Sequence, residues 1–348
     1  MSTRSDDSSQ EPNLDANQPL EEVLPPVQPP DAGFILQLFL IPMIIVSIIV
    51  TIWLAFSWLA HMGNNPRDLV AELRSADDYS WQVAHTLTEI LRHPGNEHLK
   101  KDDELAQDLA TILEAQIDAG AMDEKSVRMR VFLCRAIGEF QVSNVLPALL
   151  RAATTQRDDV EYDVRDASIQ ALAIHSKNMT DLHGSESVRS NQALVDVLME
   201  AANERSDAVD DANKNAEIRS AAAFALGVIG GDMATVKLGL MLDDPYPNTR
   251  YNAATGLARH GDERALRVLV EMLDPDNDQV VRDEVNASAE LAKRTQVMTS
   301  AFRAIDKMVE TNSAVDLRGL KVSLEKIAAS GLPRAVVMYA ENLLDKIE

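Results

Sequence analysis

The chain contains few of the residues on which most enzyme and metal chemistry depends. Its 348 residues include one cysteine, Cys134, which excludes an internal disulfide and suits a reducing compartment. His85, His93 and His98 lie close together in the sequence, but they lack the i, i+4 spacing of a helical metal site. The sequence also has no G-x-S-x-G, no H-E-x-x-H and no phosphate-binding glycine loop. We therefore expect a non-catalytic protein without a metal, a cofactor or a small-molecule substrate.

Aromatic residues and positive charges are also scarce. Aromatics make up 4% of the chain, which fits closely packed helices and fits a β-sandwich poorly. Lys and Arg number 33 against 55 Asp and Glu, and the net charge of −22 disfavours nucleic acid and favours a basic protein surface as partner. Between Lys293 and Lys326, however, seven basic residues stand against four acidic ones. This segment is either a patch for an acidic partner or headgroups, or an ordinary solvated helix face.

One long apolar run lies near the N-terminus. Residues 34–59 contain no charge over 26 positions, and as a helix they extend about 39 Å, against about 30 Å of bilayer hydrocarbon. Trp53 and Trp58 lie near the end of the run, where indoles prefer the lipid–water boundary. Pro42 predicts a kink, because it frees a carbonyl one turn earlier. The run predicts a retained transmembrane helix within 32–62 that contacts the lipid bilayer; a buried core helix and a cleavable signal peptide fit it less well.

The residues on either side of this run indicate how the chain is oriented. Residues 1–31 carry seven carboxylates against Arg4 and contain six prolines, so we expect a disordered acidic tail. Arg67 and Arg74 follow the run closely, whereas no Lys or Arg precedes it within 20 residues. By the positive-inside tendency this asymmetry predicts a single-pass protein of the cell membrane whose folded part is cytoplasmic. The opposite orientation stays open.

A short pattern recurs four times beyond the apolar run. In each copy an arginine is followed six and seven positions later by a small residue and then a branched aliphatic, and the last two copies are 31 residues apart. One helix pair cannot bury its own apolar face, so such copies stack and share a continuous core. The pattern predicts an all-α solenoid of paired helices, a class that usually binds partners. The copies begin at Arg130, Arg165, Arg219 and Arg250.

The repeats also predict how the rest of the chain is organised. We expect degenerate helical repeats over 67–122, where Ser80 stands in place of the arginine, and clear repeats over 123–278. A polar insertion over 176–190 should protrude as a loop, and such insertions often lie on the binding face. Residues 279–348 should form longer capping helices, because the last repeat would otherwise expose an apolar face.

Three stretches of sequence carry a family resemblance. The strings VRDASIQALA, IRSAAAFALGVIGG and TRYNAATGLARHGDERALRVLVEMLDPD resemble HEAT repeats of the short bacterial type, which are also found in phycobilin-lyase-related proteins. The resemblance covers residues 124–276 well and implies a HEAT-type α-solenoid that acts as a scaffold or adaptor for another protein. With the anchor, this gives a membrane-anchored scaffold. The alternatives are a HEAT-type lyase or isomerase, and a regulatory subunit of a membrane complex.

The repeated arginines are the candidate site residues. They form either an anion-binding row or a structural ladder in which each guanidinium pairs with carboxylates of the adjoining loop. We favour the ladder, because bidentate Arg–carboxylate pairs between stacked units need no ligand. Cys134 occupies an apolar position of the repeat, so we expect an inert thiol and no nucleophile. The ladder comprises Arg130, Arg165, Arg219 and Arg250, with Asp159, Asp163, Asp243 and Asp244 as available partners.

Overall fold

The structure, a computed structural model, describes residues 32–61, 65–75, 79–156, 161–204, 212–282 and 284–347. Within these ranges every regular element is a helix, and the predicted acidic tail over 1–31 lies outside them. The chain divides into two units, Met1–Gly63 and Asn64–Glu348.

The described residues of the first unit form one helix, α1 (Ala32–His61), which continues through Pro42. Its segment Leu36–Phe56 is 21 residues long and, by length and composition, apolar enough to cross a membrane. The side chains of this segment are all exposed. Trp53 is exposed among them, whereas the side chain of Trp58 lies outside the described part.

The second unit is a stack of helices in two rows. The row that carries the repeated arginines, called the first row, consists of α3, α5, α7, α10, α12 and α14, and each member packs against the next. The second row consists of α2, α4, α6, α9, α11, α13 and α15, which alternate with the first along the chain. The helices are α2 (Pro66–Ser75), α3 (Ser80–Arg92), α4 (Asp103–Ala119), α5 (Glu124–Gly138), α6 (Leu146–Ala153), α7 (Tyr162–His183), α8 (Ser185–Arg189), α9 (Gln192–Ala201), α10 (Ala212–Ile229), α11 (Asp232–Met241), α12 (Pro247–Arg259), α13 (Leu266–Met272), α14 (Ala287–Thr311), α15 (Lys321–Ala328) and α16 (Arg334–Ile347).

This arrangement confirms the predicted all-α solenoid, and small residues explain how tightly its first row packs. A Cβ atom added to Gly227 of α10 would come within 2.6 Å of the Gly256 Cα atom of α12. One added to Gly138 of α5 would lie 2.8 Å from the Ala171 Cα atom of α7. Backbones can approach this closely only where side chains are absent or minimal, so the recurring Ala and Gly of the sequence pattern set the spacing of the row.

Glycines also set the tight turns between the rows. Gly230 and Gly231, with φ of 67° and 89°, separate α10 from α11, and Gly261, with φ of 72°, follows α12. Positive φ is disfavoured for residues with a Cβ atom, so these positions end one helix and permit an immediate reversal into the next. Asp262 then accepts a hydrogen bond from the backbone N–H of Arg264 and caps the start of the following short helix.

The prediction that residues 176–190 protrude as a loop is wrong. Helix α7 continues to His183, Gly184 ends it, and the five-residue α8 follows. The extra turns are held by contacts with the preceding unit: Ser176 is buried, and the Asn178 side chain donates a hydrogen bond of 3.1 Å to the Glu139 carbonyl. The segment contains no helix-breaking residue before Gly184, so its polar composition does not interrupt the helix.

The stack continues without a break across residues 122 and 278. At the N-terminal side, α4 packs on α5, and α2 packs on both α3 and α4. At the C-terminal side, α14 packs on α12 as a further member of the first row, and α16 packs on α15 and α14. Helix α16 presents Val336, Ala340 and Leu343 to this end of the core.

Candidate functional site

The repeated arginines lie at the joints between neighbouring units. Arg219 of α10 donates from Nε and Nη2 to the two Asp244 carboxylate oxygens, at 2.7 and 3.0 Å, and from Nη1 to the Glu204 carbonyl at 3.0 Å. Glu204 follows α9 and Asp244 follows α11, so one guanidinium joins the ends of two successive second-row helices. Helix C-termini leave carbonyls without intrahelical partners, and a cation there also interacts favourably with the helix dipole.

Each of the other three arginines also contacts a carbonyl near the end of one second-row helix and a carboxylate of the next unit. Arg165 donates two hydrogen bonds to the Glu204 carboxylate and a third, of 3.4 Å, to the Ala153 carbonyl at the end of α6. Arg250 pairs with Glu271 and donates to the Asp244 carbonyl at 2.8 Å. Arg130, almost fully buried, donates to the Ala121 carbonyl at 2.8 Å and lies 3.7 Å from the Glu161 carboxylate.

The partners differ from the four aspartates that the sequence suggested. Asp244 contacts Arg219, but Asp243 pairs instead with Arg267 of α13, because it is exposed one residue before the joint. Asp163 is exposed on α7, and Asp159 lies outside the described residues. The carboxylates of the remaining joints belong to Glu161, Glu204 and Glu271.

A fifth arginine belongs to this ladder, although the sequence pattern missed it. Arg294 of α14 donates to the Asn277 carbonyl at 2.9 Å and lies 3.7 Å from the Asp278 carboxylate. Six and seven positions later stand Ser300 and Ala301, so the branched aliphatic of the pattern is absent. The remaining signal was the arginine itself, which follows an acidic turn just as Arg250 follows Asp243 and Asp244.

Histidines form a second set of contacts between neighbouring units. The Nδ1 atom of His175 lies 3.0 Å from the Phe140 carbonyl, and the Nε2 atom of His260 lies 3.0 Å from the Gly227 carbonyl. Burial lowers the pKa of both imidazoles. They therefore stabilise the stack as neutral rings that donate to carbonyls of the preceding unit, one in α10 and one just after the end of α5.

The sole cysteine lies inside the first row. Cys134 is fully buried, and this burial raises the pKa of its thiol to about 12. At neutral pH the sulfur is therefore protonated and shielded from solvent.

Helices α10, α12 and α14 line an open groove of about 560 Å³ along the first row. Its lining residues recur at helical spacing on each wall, which shows that one face of each helix is turned toward it. Helix α10 contributes Ser220 and Phe224; α12 contributes Asn248, Tyr251, Asn252, Thr255 and Arg259; α14 contributes Lys293, Gln296, Val297, Ser300, Arg303, Ala304 and Lys307; and Met272 of α13 completes the floor.

The groove is basic, although the chain is strongly acidic. Arg259, Lys293, Arg303 and Lys307 line it, and no carboxylate does so among the described residues. Lys307 pairs with Glu310, whereas the other three cations form no ion pair within the described part of the chain. Burial lowers the pKa of the Arg259 guanidinium, and no neighbouring carboxylate opposes this shift. The groove therefore combines partly desolvated positive charge with an apolar floor.

An acidic cluster lies on the same row between α7 and α10. The Tyr162 hydroxyl donates to the Glu217 carboxylate at 2.5 Å, and burial raises the pKa of Asp166 to about 6. Arg135 opposes this shift, whereas Glu217 and Asp163 add to it. The first row thus carries this acidic cluster at α7 and α10 and the basic groove at α10, α12 and α14.

The fold and these contacts together define the class of protein. An all-α stack in two rows, with arginines and histidines joining consecutive helix pairs, is a helical solenoid. The family described as HEAT repeats matches this chain over residues 207–290, a range that spans α10 to α13 and the beginning of α14. No curated protein matches the chain.

Proposed function

We propose that this protein is a membrane-anchored, non-catalytic scaffold of HEAT type that binds a partner protein in the groove formed by α10, α12 and α14. The groove is the observation that carries the proposal. It is open, its α10 and α12 walls lie within the residues that match HEAT repeats, and its cationic side chains do not serve as joints of the ladder. HEAT repeats generally mediate protein–protein interaction, and solenoids bind along such surfaces.

The chemistry of the remaining residues supports a binding role. The ladder arginines pair with carboxylates of the protein itself and are largely shielded from solvent. The Arg219 and Asp244 side chains, for example, are only 12% and 10% exposed. Cys134, on which a lyase or isomerase reading depends, is protonated and shielded, whereas a cysteine nucleophile reacts as an accessible thiolate.

The anchor gives the scaffold its proposed mechanism. Helix α1 would hold the solenoid at the membrane, single-pass, and so raise the local concentration of whatever the groove binds. Arg67 and Arg74, just after α1, favour the cytoplasmic side for the solenoid. Protease added to sealed inside-out vesicles should then digest the solenoid, and digestion only in right-side-out vesicles would reverse the orientation.

Site-specific photo-crosslinking tests the binding role. A photoreactive residue at Thr255 in the groove should yield one discrete cross-linked protein in intact membranes, whereas the same residue at exposed Asn342 of α16 should not. The same adduct at both positions, or none at Thr255 and Ser300, would contradict a partner site in the groove. Deleting residues 32–61 should release the solenoid from the membrane and reduce cross-linking, because the local concentration falls.

A further inference from the structure

The groove is positively charged, whereas the protein as a whole is strongly negative. The chain carries −22, of which −16 remains once the −6 of residues 1–31 is set aside. Against this background Arg259, Lys293 and Arg303 converge on one groove without carboxylate partners among the described residues. Arg259 and Lys293 are half-buried and Arg303 is exposed. A partly desolvated cation interacts more strongly with an anion than a fully solvated one does, because water screens it less.

The shape of the groove limits what it accepts. It crosses three helices of the first row, whose axes are about 9 Å apart, so it is roughly 20 Å long. An extended chain of about six residues covers that distance. Phe224, which is 37% exposed, stands at the α10 wall, and Met272 and Val297 form an apolar floor. The groove thus fits an extended segment that alternates charged and apolar side chains.

We infer that the groove binds an extended acidic peptide segment of a partner protein, with carboxylates at Arg259, Lys293 and Arg303 and an apolar side chain against Phe224. This inference rests on the proposed scaffold function and names the chemistry of its partner. The arginines provide bidentate pairing with carboxylates, and the lysine adds a point charge. The acidic cluster at Tyr162, Asp166 and Glu217 repels the segment beyond α10 and so fixes where it ends.

Other anions fit the molecule less well. A nucleic acid extends far beyond 20 Å and would meet the acidic surface on either side of the groove. A lipid headgroup matches neither the length of the groove nor its apolar floor. The chain's own acidic tail precedes α1, so a membrane-spanning α1 places it across the bilayer from the solenoid.

A peptide titration tests the inference on the full chain in nanodiscs of neutral lipid. The probe is a fluorescein-labelled octapeptide of alternating Glu and Leu, and its controls replace Glu by Gln or by Lys. Substituting Arg259→Gln, Lys293→Gln and Arg303→Gln together should weaken binding of the Glu peptide about ten- to hundredfold, because three charge pairs are lost. Raising the salt concentration should weaken wild-type binding in the same direction.

A matched triple variant controls for the loss of charge. Arg74→Gln, Arg128→Gln and Arg151→Gln remove the same charge from exposed positions outside the groove and should change the affinity less than threefold. A variant that carries only Arg303→Gln, at an exposed position, keeps the test valid if the triple variant unfolds. Equal binding of the Gln and Glu peptides, or equal effects of the two triple variants, would overturn the inference.

The remaining outcomes separate the inference from the function on which it rests. Phosphatidylserine vesicles and oligouridine are the competing ligands. If either binds through the groove cations as tightly as the Glu peptide or more tightly, the acidic-peptide assignment is overturned. Cross-links at Thr255 that persist in the groove triple variant would retain the scaffold and overturn the inference. The Glu peptide could instead bind through the groove cations while no cross-link forms at Thr255. That result would support the selectivity of the groove and contradict the scaffold function.

Discussion

Replacing Arg219 by alanine should loosen one joint of the solenoid and leave distant joints intact. The substitution removes two hydrogen bonds to Asp244 and one to the Glu204 carbonyl. The larger cost comes from the Asp244 carboxylate, which is 10% exposed and would lose its cation. Removing one partner of such a buried pair typically costs about 3–5 kcal/mol, and we expect about 3 kcal/mol because Asp244 keeps the bond from the Tyr246 N–H.

Hydrogen exchange is the appropriate assay, because a repeat stack opens locally and a single unfolding midpoint would average over its units. About 3 kcal/mol corresponds to exchange roughly a hundredfold faster, confined to amides of α9 to α12. Arg74→Ala is the control: its pair with Asp108 is 58% and 38% exposed, so its loss should cost less than about 1 kcal/mol.

A double-mutant cycle isolates the pair. Arg219→Ala, Asp244→Ala and the double variant should give a coupling free energy of about 1–3 kcal/mol, since the two side chains contact each other directly. The reasoning is refuted if Arg219→Ala is no more costly than Arg74→Ala, or if exchange rises evenly from α3 to α16.

Two further predictions concern the contacts between first-row helices. Gly227→Ala should destabilise α10 and α12 by about 1–3 kcal/mol, because the new Cβ atom would lie 2.6 Å from the Gly256 Cα atom and this overpacking outweighs the gain in helix propensity of about 1 kcal/mol. Thermal unfolding measures the effect, and Gly319→Ala is the control, because a Cβ atom at Gly319 meets open space. A Gly227→Ala variant more stable than the wild type would contradict the close approach. His175 should make the free energy of unfolding fall as the pH drops below about 6.5, because burial lowers its folded-state pKa and the unfolded chain binds the proton first. His175→Gln should reduce the fall of the melting temperature between pH 7 and 5 without abolishing it, since the pKa of His260 is lowered in the same direction. An unchanged profile would show that His175 does not contribute.

The helical fold could be read from the sequence because its signals are local and repeated. The small residues that follow Arg165 and Arg219 recur at helical spacing, and the glycines at 230, 231 and 261 stand where helices end. The exception is the segment 176–190, where polar composition suggested a loop. Polar residues indicate that a segment is exposed to solvent, but they do not by themselves end a helix. Contacts such as the hydrogen bond from Asn178 to the Glu139 carbonyl stabilise the extension of α7.

The arginine positions were evident from the sequence, but most of their partners were not. Arg165 and Arg250 pair with Glu204 and Glu271, which lie 39 and 21 residues further along the chain. Which carboxylate meets which guanidinium depends on where each second-row helix ends in space, and that position follows from the stacking of whole units. Arg294 escaped detection because Ala301 stands where the pattern has a branched aliphatic, and only its contact with the Asn277 carbonyl assigns it to the ladder.

By itself, the sequence determined the helical repeat, the arginines at its joints and an apolar segment long enough to span a bilayer. Only the tertiary structure decided which charges act together. Arg259 and Arg303 are 44 residues apart in the chain, and the excess of basic residues between Lys293 and Lys326 includes only part of the groove. Electrostatic interaction depends on distance through space and on burial, so α10, α12 and α14 had to be stacked before a basic groove could exist on an acidic protein.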